Sequence, residues 1–461
     1  MSQSYESDGT GMIKALKSLL ALCAGLPLIF TPAIAAELNP SLIVDVANGA
    51  VLHEEGASLP WYPASLTKLM TVYVTLTAVK ERRLTFDTPL IVSQRAARMP
   101  PSKMGFKPGT EVTLDNALKM LMVKSANDLA ITIAEGVSGS VEDFAVEMNN
   151  AAKKLGMRDS HFVNPNGLHE ARHVSSARDM ALVALALLRE FPAERDLFNI
   201  GALKLDGQII STHNGMLGRY PGADGMKTGF TCPAGFNVVV SATQNNRQLL
   251  AVILGSPNAK ARSLKAMALL EAGFKSNDFG RPRINSLPYL GAMAAPNRRP
   301  DICGRNRTQD SEEDFPIPIA VSAHTPNGSD ESPASFYSAG GAQLQQVQAS
   351  SLLKGPRPVF VPIEVFTGRL PGWTGPVAGP HNLVQLAQSQ TAAVKPPAAK
   401  PPVAKAPAAQ SKAAKHGNKA SQPKAKNSKN AKAAKKSPNK TQAQNTDSAP
   451  SSKPILRGSK D

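Results

Sequence analysis

The stretch FNVVVSATQNNRQLLAVILG, residues 236–255, decides the reading of the fold. It holds two apolar runs rich in β-branched residues, Phe236–Thr243 and Arg247–Leu254, on either side of Asn245-Asn246. Asparagine tolerates the left-handed backbone that a two-residue turn requires, so the pair predicts a β-hairpin. Downstream, Ala261–Ala272 has an apolar face and no Gly or Pro, which predicts a helix ended by Gly273. Upstream, four segments read as helices: Thr67–Lys80, Leu114–Val123, Val141–Leu155 ended by Gly156, and Ser176–Arg189. A further helix is expected over Asp128–Glu135, stopped by Gly136. Near the N-terminus, Leu42–Val46 and Ala50–His53 flank Asn48-Gly49, a second hairpin signal. Strands at both ends of a helical middle predict an α+β domain over residues 36–275. One antiparallel sheet is built from both ends of the domain and flanked by helices, with a helical subdomain inserted.

The remainder of the chain differs in composition. Lys14 and Lys17 precede an apolar run, Ser18–Phe30, and Ala33-Ile34-Ala35 offers a small-x-small cleavage site. Residues 1–35 are therefore expected to be a signal peptide, with Met12 a plausible start; the run is too short to span a bilayer. Cys23 follows Leu22, which is not the small residue that lipidation would want. Residues 276–386 are rich in Pro, Gly, Ser and Asn, and only Val359–Phe366 reads as a strand. Residues 387–461 are Ala/Lys/Pro/Ser-rich and nearly lack bulky apolar side chains, so they are expected to form a disordered tail. The net charge of +17 belongs mainly to this end: residues 391–461 hold 16 basic residues against two acidic ones. The expected mature chain has two cysteines, Cys232 and Cys303. In an oxidising compartment they are expected to pair; the alternative is two unpaired thiols.

Three short motifs carry the chemistry. In Ser65-Leu66-Thr67-Lys68, residues three apart share a helix face, so the Lys68 amine can sit beside the Ser65 hydroxyl. A serine is a poor nucleophile until a base takes its proton, and a lysine is a base only when its neutral form is favoured. At a helix start, the Ser65 N–H also points at a developing oxyanion. Ser125-Ala126-Asn127 supplies a hydroxyl to relay a proton and an amide to hold both a lysine and a substrate carbonyl. Lys227-Thr228-Gly229 on an edge strand would offer an ammonium, a hydroxyl and backbone groups to an extended peptide, which Gly229 allows to come close. Each motif alone is weak. Together, in this order and 60 and 102 residues apart, they are specific.

The wording resembles the low-molecular-mass D-Ala-D-Ala carboxypeptidases of the S11 serine peptidase family, within the wider serine β-lactamase and DD-peptidase fold. The residues that carry the resemblance are Pro63-Ala64-Ser65-Leu66-Thr67-Lys68-Leu69-Met70-Thr71, Ser125-Ala126-Asn127-Asp128 and Asp224-Gly225-Met226-Lys227-Thr228-Gly229. The similarity extends over roughly residues 37–275. It implies a penicillin-binding enzyme that removes the terminal D-Ala from peptidoglycan stem peptides ending in D-Ala-D-Ala, with β-lactams as covalent inhibitors. It further implies Ser65 as nucleophile, Lys68 as general base, Ser125 as proton carrier to the leaving amine and Asn127 as positioner. Lys227, Thr228, Gly229 and Arg262 would bind the terminal carboxylate, with the N–H groups of Ser65 and Phe230 as oxyanion hole. No cofactor or metal is implied, and the location would be the periplasm, peripheral to the membrane at most.

Many relatives carry a second β-rich domain and a C-terminal amphipathic helix; the sequence shows no such helix, only the basic tail. That tail is expected either to contact anionic membrane or wall polymers by charge or to be a solvated linker. A D,D-endopeptidase would use the same motifs. A class A β-lactamase would need a Glu-x-x-Leu-Asn segment after Ser125, which is absent. His169-Glu170-Ala171-Arg172-His173 spells a zinc-protease pattern, but Asn164-Pro165-Asn166-Gly167 precedes it as a turn, and a capping box at Ser176 and Asp179 starts the next helix. The histidines are thus expected in a loop, without metal. Nucleic acid is a poor partner, because the tail interleaves no aromatic residues with its charge. Intact-mass spectrometry of the secreted protein is expected to give a chain that begins at Ala36; a chain that retains residues 12–35 would overturn the signal-peptide reading.

Overall fold

The computed structural model describes residues 39–304 and 360–381. The signal peptide expected over 1–35, residues 305–359 and 382–386 of the Pro/Gly-rich region, and the basic tail expected over 387–461 lie outside the described residues. Five strands form one antiparallel sheet: β1 (Ser41–Asp45), β2 (Val51–Glu55), β7 (Ala223–Thr231), β8 (Gly235–Gln244) and β9 (Arg247–Ser256), in the order β2-β1-β9-β8-β7. Asn245 and Asn246 both take positive φ, 48° and 61°, as their hairpin turn requires.

Period-two alternation sorts the apolar side chains of this sheet onto two cores. Val238, Val240, Leu249, Ala251 and Ile253 face helix α7 (Ala259–Lys275) and meet Leu264, Met267 and Leu270. Val239, Leu250, Val252 and Leu254 point the other way and join the larger core of the helical subdomain. A sheet covered on both faces explains why these strands read as continuous apolar runs.

The inserted subdomain contains α1 (Thr67–Lys80), α2 (Gln94–Ala97), α3 (Leu114–Val123), α4 (Asn127–Ser138), α5 (Val141–Leu155) and α6 (Ala177–Glu190). Helix α1 is its axis, with buried residues around its circumference, from Thr67 and Lys68 to Leu76 and Ala78. The N-caps follow from sequence: Thr113, Ser140 and Ser176 accept hydrogen bonds from the backbone N–H three residues on.

Two expected helix ends are corrected. Gly136 does not stop α4, which runs to Ser138 and is capped by Gly139 in the left-handed region. Gly136 instead makes room for β3 (Pro89–Ile91): a Cβ there would lie 2.6 Å from the Leu90 side chain. Gly273 does not end α7 either; it lets that helix approach the sheet, where a Cβ would stand 3.0 Å from Leu249 and 3.1 Å from Ile43.

The sequence offered little on the two segments after α7. Residues 276–304 run back along the domain, with Val51 N–H donating to the Pro282 carbonyl and Ile284 N–H to that of Gly49. Farther on, the Leu290 and Gly291 amides donate to buried Asp159 Oδ1. The segment ends in α8 (Arg299–Cys303), and Cys303 is disulfide-bonded to Cys232.

Residues 360–381 form a strap on the helical subdomain. Of the strand expected over Val359–Phe366, two residues, Ile363–Glu364, form β10, which pairs in parallel with β5 (Ala202–Leu205), itself antiparallel to β6 (Gln208–Ser211). The strap continues past β4 (Glu111–Thr113), where Arg369 pairs with Glu111, and ends with His381 N–H donating to the Gly139 carbonyl. No described helix is long and apolar enough to cross a membrane. Val365, 4% exposed, is the strap's plug into the core. Val365→Ala is expected to lower stability by about 1–3 kcal/mol, read as a fall in urea midpoint at constant slope.

Candidate active site

The site is built where the chain passes from the sheet into α1. Trp61 is fully buried, bonds through its backbone to Ser175 and donates its indole N–H to the Ala234 carbonyl at 2.8 Å. Asn237 on β8 donates its amide to the carbonyls of Tyr62 and Pro63, and its Oδ1 accepts from Gly255 N–H at 2.9 Å. These contacts fix residues 61–63 to the sheet. Ala64 then adopts φ 49°, a left-handed conformation that costs a non-glycine residue about 1–2 kcal/mol. A 3₁₀ turn over Ala64–Leu66 carries Ser65, and the α-helix proper begins at Thr67, two residues later than a helix start at Ser65 would have it.

Lys68 lies beneath this turn, fully buried, with its Nζ 3.0 Å from Ser65 Oγ. The same nitrogen is 2.9 Å from Asn127 Oδ1 and 2.7 Å from the Asn166 carbonyl. Asn127, the first residue of α4, has its orientation set by donation of Nδ2 to the Pro100 carbonyl, so Oδ1 faces the lysine. Asn127 Oδ1 and the Asn166 carbonyl accept from Nζ, which also lies within hydrogen-bond reach of the Ser65 hydroxyl, so the amine is held beside the oxygen it would serve.

Ser125 lies in the turn between α3 and α4, 5% exposed and at φ 58°. Left-handed non-glycine backbone at Ala64 and Ser125 places strain in the turn before α1 and in the turn before α4, as functional sites often do.

Lys227-Thr228-Gly229 lies on β7, one of the two edge strands of the sheet. Gly229 is pressed against the Ser65 turn: a Cβ there would stand 3.0 Å from the backbone nitrogens of Ser65 and Leu66 and from the Pro63 carbonyl. Lys227 and Thr228 are buried, at 3% and 1% exposure, and Lys227 Nζ donates to the Thr228 carbonyl. Thr228 Oγ1 is buried without a hydrogen-bond partner among the described residues. Arg262 is buried in the first turn of α7, whose N-cap is Asn258. Phe230 follows Gly229 on β7, its ring centroid 4.3 Å from that of Phe236.

Several residues that sequence reasoning passed over complete the site. The turn Asn164-Pro165-Asn166-Gly167 packs onto α1: Pro165 accepts from Thr71, Asn166 from Lys68, and Gly167, at φ 80°, leaves 1.8 Å between a Cβ position and the Ala64 carbonyl. The need for glycine was legible in the turn; its partner, 103 positions upstream, was not. Asn237 had a signal, a lone amide inside the apolar run 236–242.

The histidines of the zinc-like pattern fall in a loop, as expected. His173 is buried and accepts from Val163 N–H at Nδ1, so its neutral form carries the proton on Nε2, 2.8 Å from Thr67 Oγ1. Burial, helped by His161, pushes this imidazole down to about 3. The folded state therefore holds His173 neutral while the unfolded chain takes up a proton near pH 6.5. This contribution is complete above pH 6.5 and is lost as pH falls toward 3, at roughly 1.4 kcal/mol per pH unit. Between pH 6.5 and 5, urea midpoints of the wild type are expected to show a loss of about 2 kcal/mol from this group. His173→Gln, which does not titrate, should show a shallower fall; identical slopes would refute the assignment.

Residues 30–258 match the family model described as D-alanyl-D-alanine carboxypeptidase, peptidase S11. D-alanyl-D-alanine carboxypeptidase DacF of Bacillus subtilis is 32% identical over 249 residues, covering 53% of this chain and 64% of that protein. DacC of Escherichia coli, of the same description, is 36% identical over 241 residues, covering 51% of this chain and 60% of that protein. The chain thus spans less than two thirds of the length of these relatives. Among solved structures, penicillin binding protein 6B from Escherichia coli superposes with a TM-score of 0.50 at 32% identity, over 54% of this chain and 81% of that one. The motif order, the sheet with its inserted helical subdomain and these matches together place the chain in the peptidase S11 family of D-alanyl-D-alanine carboxypeptidases.

Proposed function

We propose that this chain is a serine-type D-Ala-D-Ala carboxypeptidase that trims peptidoglycan stem peptides in the periplasm through an acyl-enzyme on Ser65. The observation that carries the reading is the 3.0 Å contact between Lys68 Nζ and Ser65 Oγ, with the same nitrogen held by Asn127 Oδ1 and the Asn166 carbonyl. In this arrangement Lys68 takes the proton as Ser65 Oγ attacks the carbonyl carbon of the penultimate D-Ala. The N–H groups of Ser65 and Phe230 receive the oxyanion. Ser125 passes a proton to the departing D-Ala amine, the C–N bond breaks, and water then hydrolyses the ester.

The extended peptide would align along edge strand β7, as in strand addition. Its terminal carboxylate would meet Lys227 and Arg262 and accept a hydrogen bond from Thr228, whose buried hydroxyl has no partner among the described residues. Recognition of a free carboxylate makes the reaction a carboxypeptidase step. β-Lactams would acylate the same hydroxyl and leave slowly. The tail, in this reading, adds at most a charge-based contact with anionic membrane or wall polymers.

A fluorescent penicillin is expected to label the wild type and not Ser65→Ala. Lys68→Gln should retain fold and lower the acylation rate by roughly 10²–10⁴. On a stem pentapeptide the wild type should release one D-Ala; labelling of Ser65→Ala equal to that of the wild type would overturn the mechanism.

A further inference from the structure

We infer that residues 295–303, fastened by the Cys232–Cys303 disulfide, are a positioning clasp that holds the Phe230 end of β7 against Ser65. The inference rests on the acyl-enzyme reading above and adds to it the means by which the oxyanion hole keeps its shape. β7 and β8 are joined by a short turn, residues 232–234, directly after Phe230-Thr231. Four residues of the segment after α7 grip this turn and its neighbours. Ala295 packs with Ala234, Tyr62 and Ala64, the residue before the nucleophile. Arg298 N–H donates to the Pro233 carbonyl at 3.0 Å, and Arg298 Nη1 reaches the Gly255 carbonyl. Ile302, 5% exposed, packs against Phe236 and Ala259, with Phe230 and Cys303 against the same cluster. Cys303 is bonded to Cys232, two residues beyond Phe230.

The clasp has leverage because of where Phe230 lies. Its amide follows Gly229, whose Cα approaches the Ser65 nitrogen closely enough that an added Cβ would stand at 3.0 Å. An edge strand has a neighbour on one side only, so the far end of β7 has β8 and this clasp to hold it. Oxyanion donors act through fixed geometry, and small displacements reduce their effect steeply. The Ser65–Lys68–Asn127 hydrogen bonds, in contrast, are made within the helical subdomain and do not involve the clasp. Release of the clasp should therefore slow acylation while leaving the nucleophile and its base in place. Reduction achieves the release when a dithiol gives two electrons and two protons to the S–S bond, closing its own disulfide and leaving two thiols. Clasp residues do not touch substrate in this scheme; they act through Phe230.

The test uses the mature full-length chain and a fluorescent penicillin in stopped flow, with the saturating acylation rate read separately from the prior binding constant. Cys232→Ser/Cys303→Ser, and the wild type after dithiothreitol, are expected to acylate roughly tenfold or more slowly. That is short of the 10²–10³ cost of a lost oxyanion donor. The binding constant should stay within about twofold, and the rate should recover in the reduced wild type on reoxidation. Ile302→Ala keeps the bridge but loosens its packing on Phe236 and should show a smaller fall of the same kind. Unchanged acylation in the double variant overturns the clasp. Should that variant unfold by circular dichroism, Ile302→Ala decides, and a wild-type rate there overturns it equally. Failure of the oxidised wild type to be acylated at all would instead sink the acyl-enzyme reading, and the clasp with it.

Discussion

A single buried amine organises this domain. Lys68 has no exposed surface, and the oxygens it touches come from the 3₁₀ turn before α1, the start of α4 and the turn before α6. Three distant parts of the chain must converge on one nitrogen, because a buried amine without partners would cost several kcal/mol. Around it, polar side chains are placed where an apolar core would otherwise be: Thr67 to His173, Thr71 to Pro165, Thr75 to the Thr71 carbonyl. Helix α1 is therefore a core helix whose interior is partly wired with hydrogen bonds. A network of this kind rigidifies only when its members are satisfied, and the partners here are mostly backbone carbonyls, which do not wander.

The architecture serves the same end from the other direction. The sheet takes strands from both ends of the domain and the helical subdomain hangs between β2 and β7. The seam between the two halves is the site: Ser65 and Lys68 belong to one half, Gly229 to the other, and Asn237 and Trp61 bolt the seam. The strap over residues 360–381 and the segment over 276–304 reinforce the outside of each half rather than forming a body of their own.

The sheet and the helices of the middle were legible because each carries a local period, of two or of 3.6, that its neighbours do not contradict. The hairpin at Asn245-Asn246 and the caps at Ser140 and Ser176 are local chemistry of the same kind. The misread helix ends share one cause. Gly136 and Gly273 are needed for what lies opposite them, Leu90 in one case and Leu249 with Ile43 in the other, and sequence does not show what lies opposite. The positions of Ser65, Lys68 and Asn127 were readable as spaced motifs. Asn166 was not, since it contributes a backbone carbonyl and any residue type has one. Residues 276–304 and 360–381 were opaque for a different reason: they bind the surface by isolated hydrogen bonds and single apolar plugs such as Val365, which leave no periodic trace.

The open side of β7 has a consequence for the molecule in solution. A row of unmated peptide groups invites any extended chain, including the same strand of another copy, and most proteins blunt such borders. In the proposed reaction, blunting would shut out the peptide that aligns along this border. The chain leaves the stretch short instead. An irregularity in register between Ala223 and Gly225 distorts one end, and the cystine-bound turn closes the other. About half a dozen residues remain available, enough to seat a short extended peptide and too few to favour fibrous self-association.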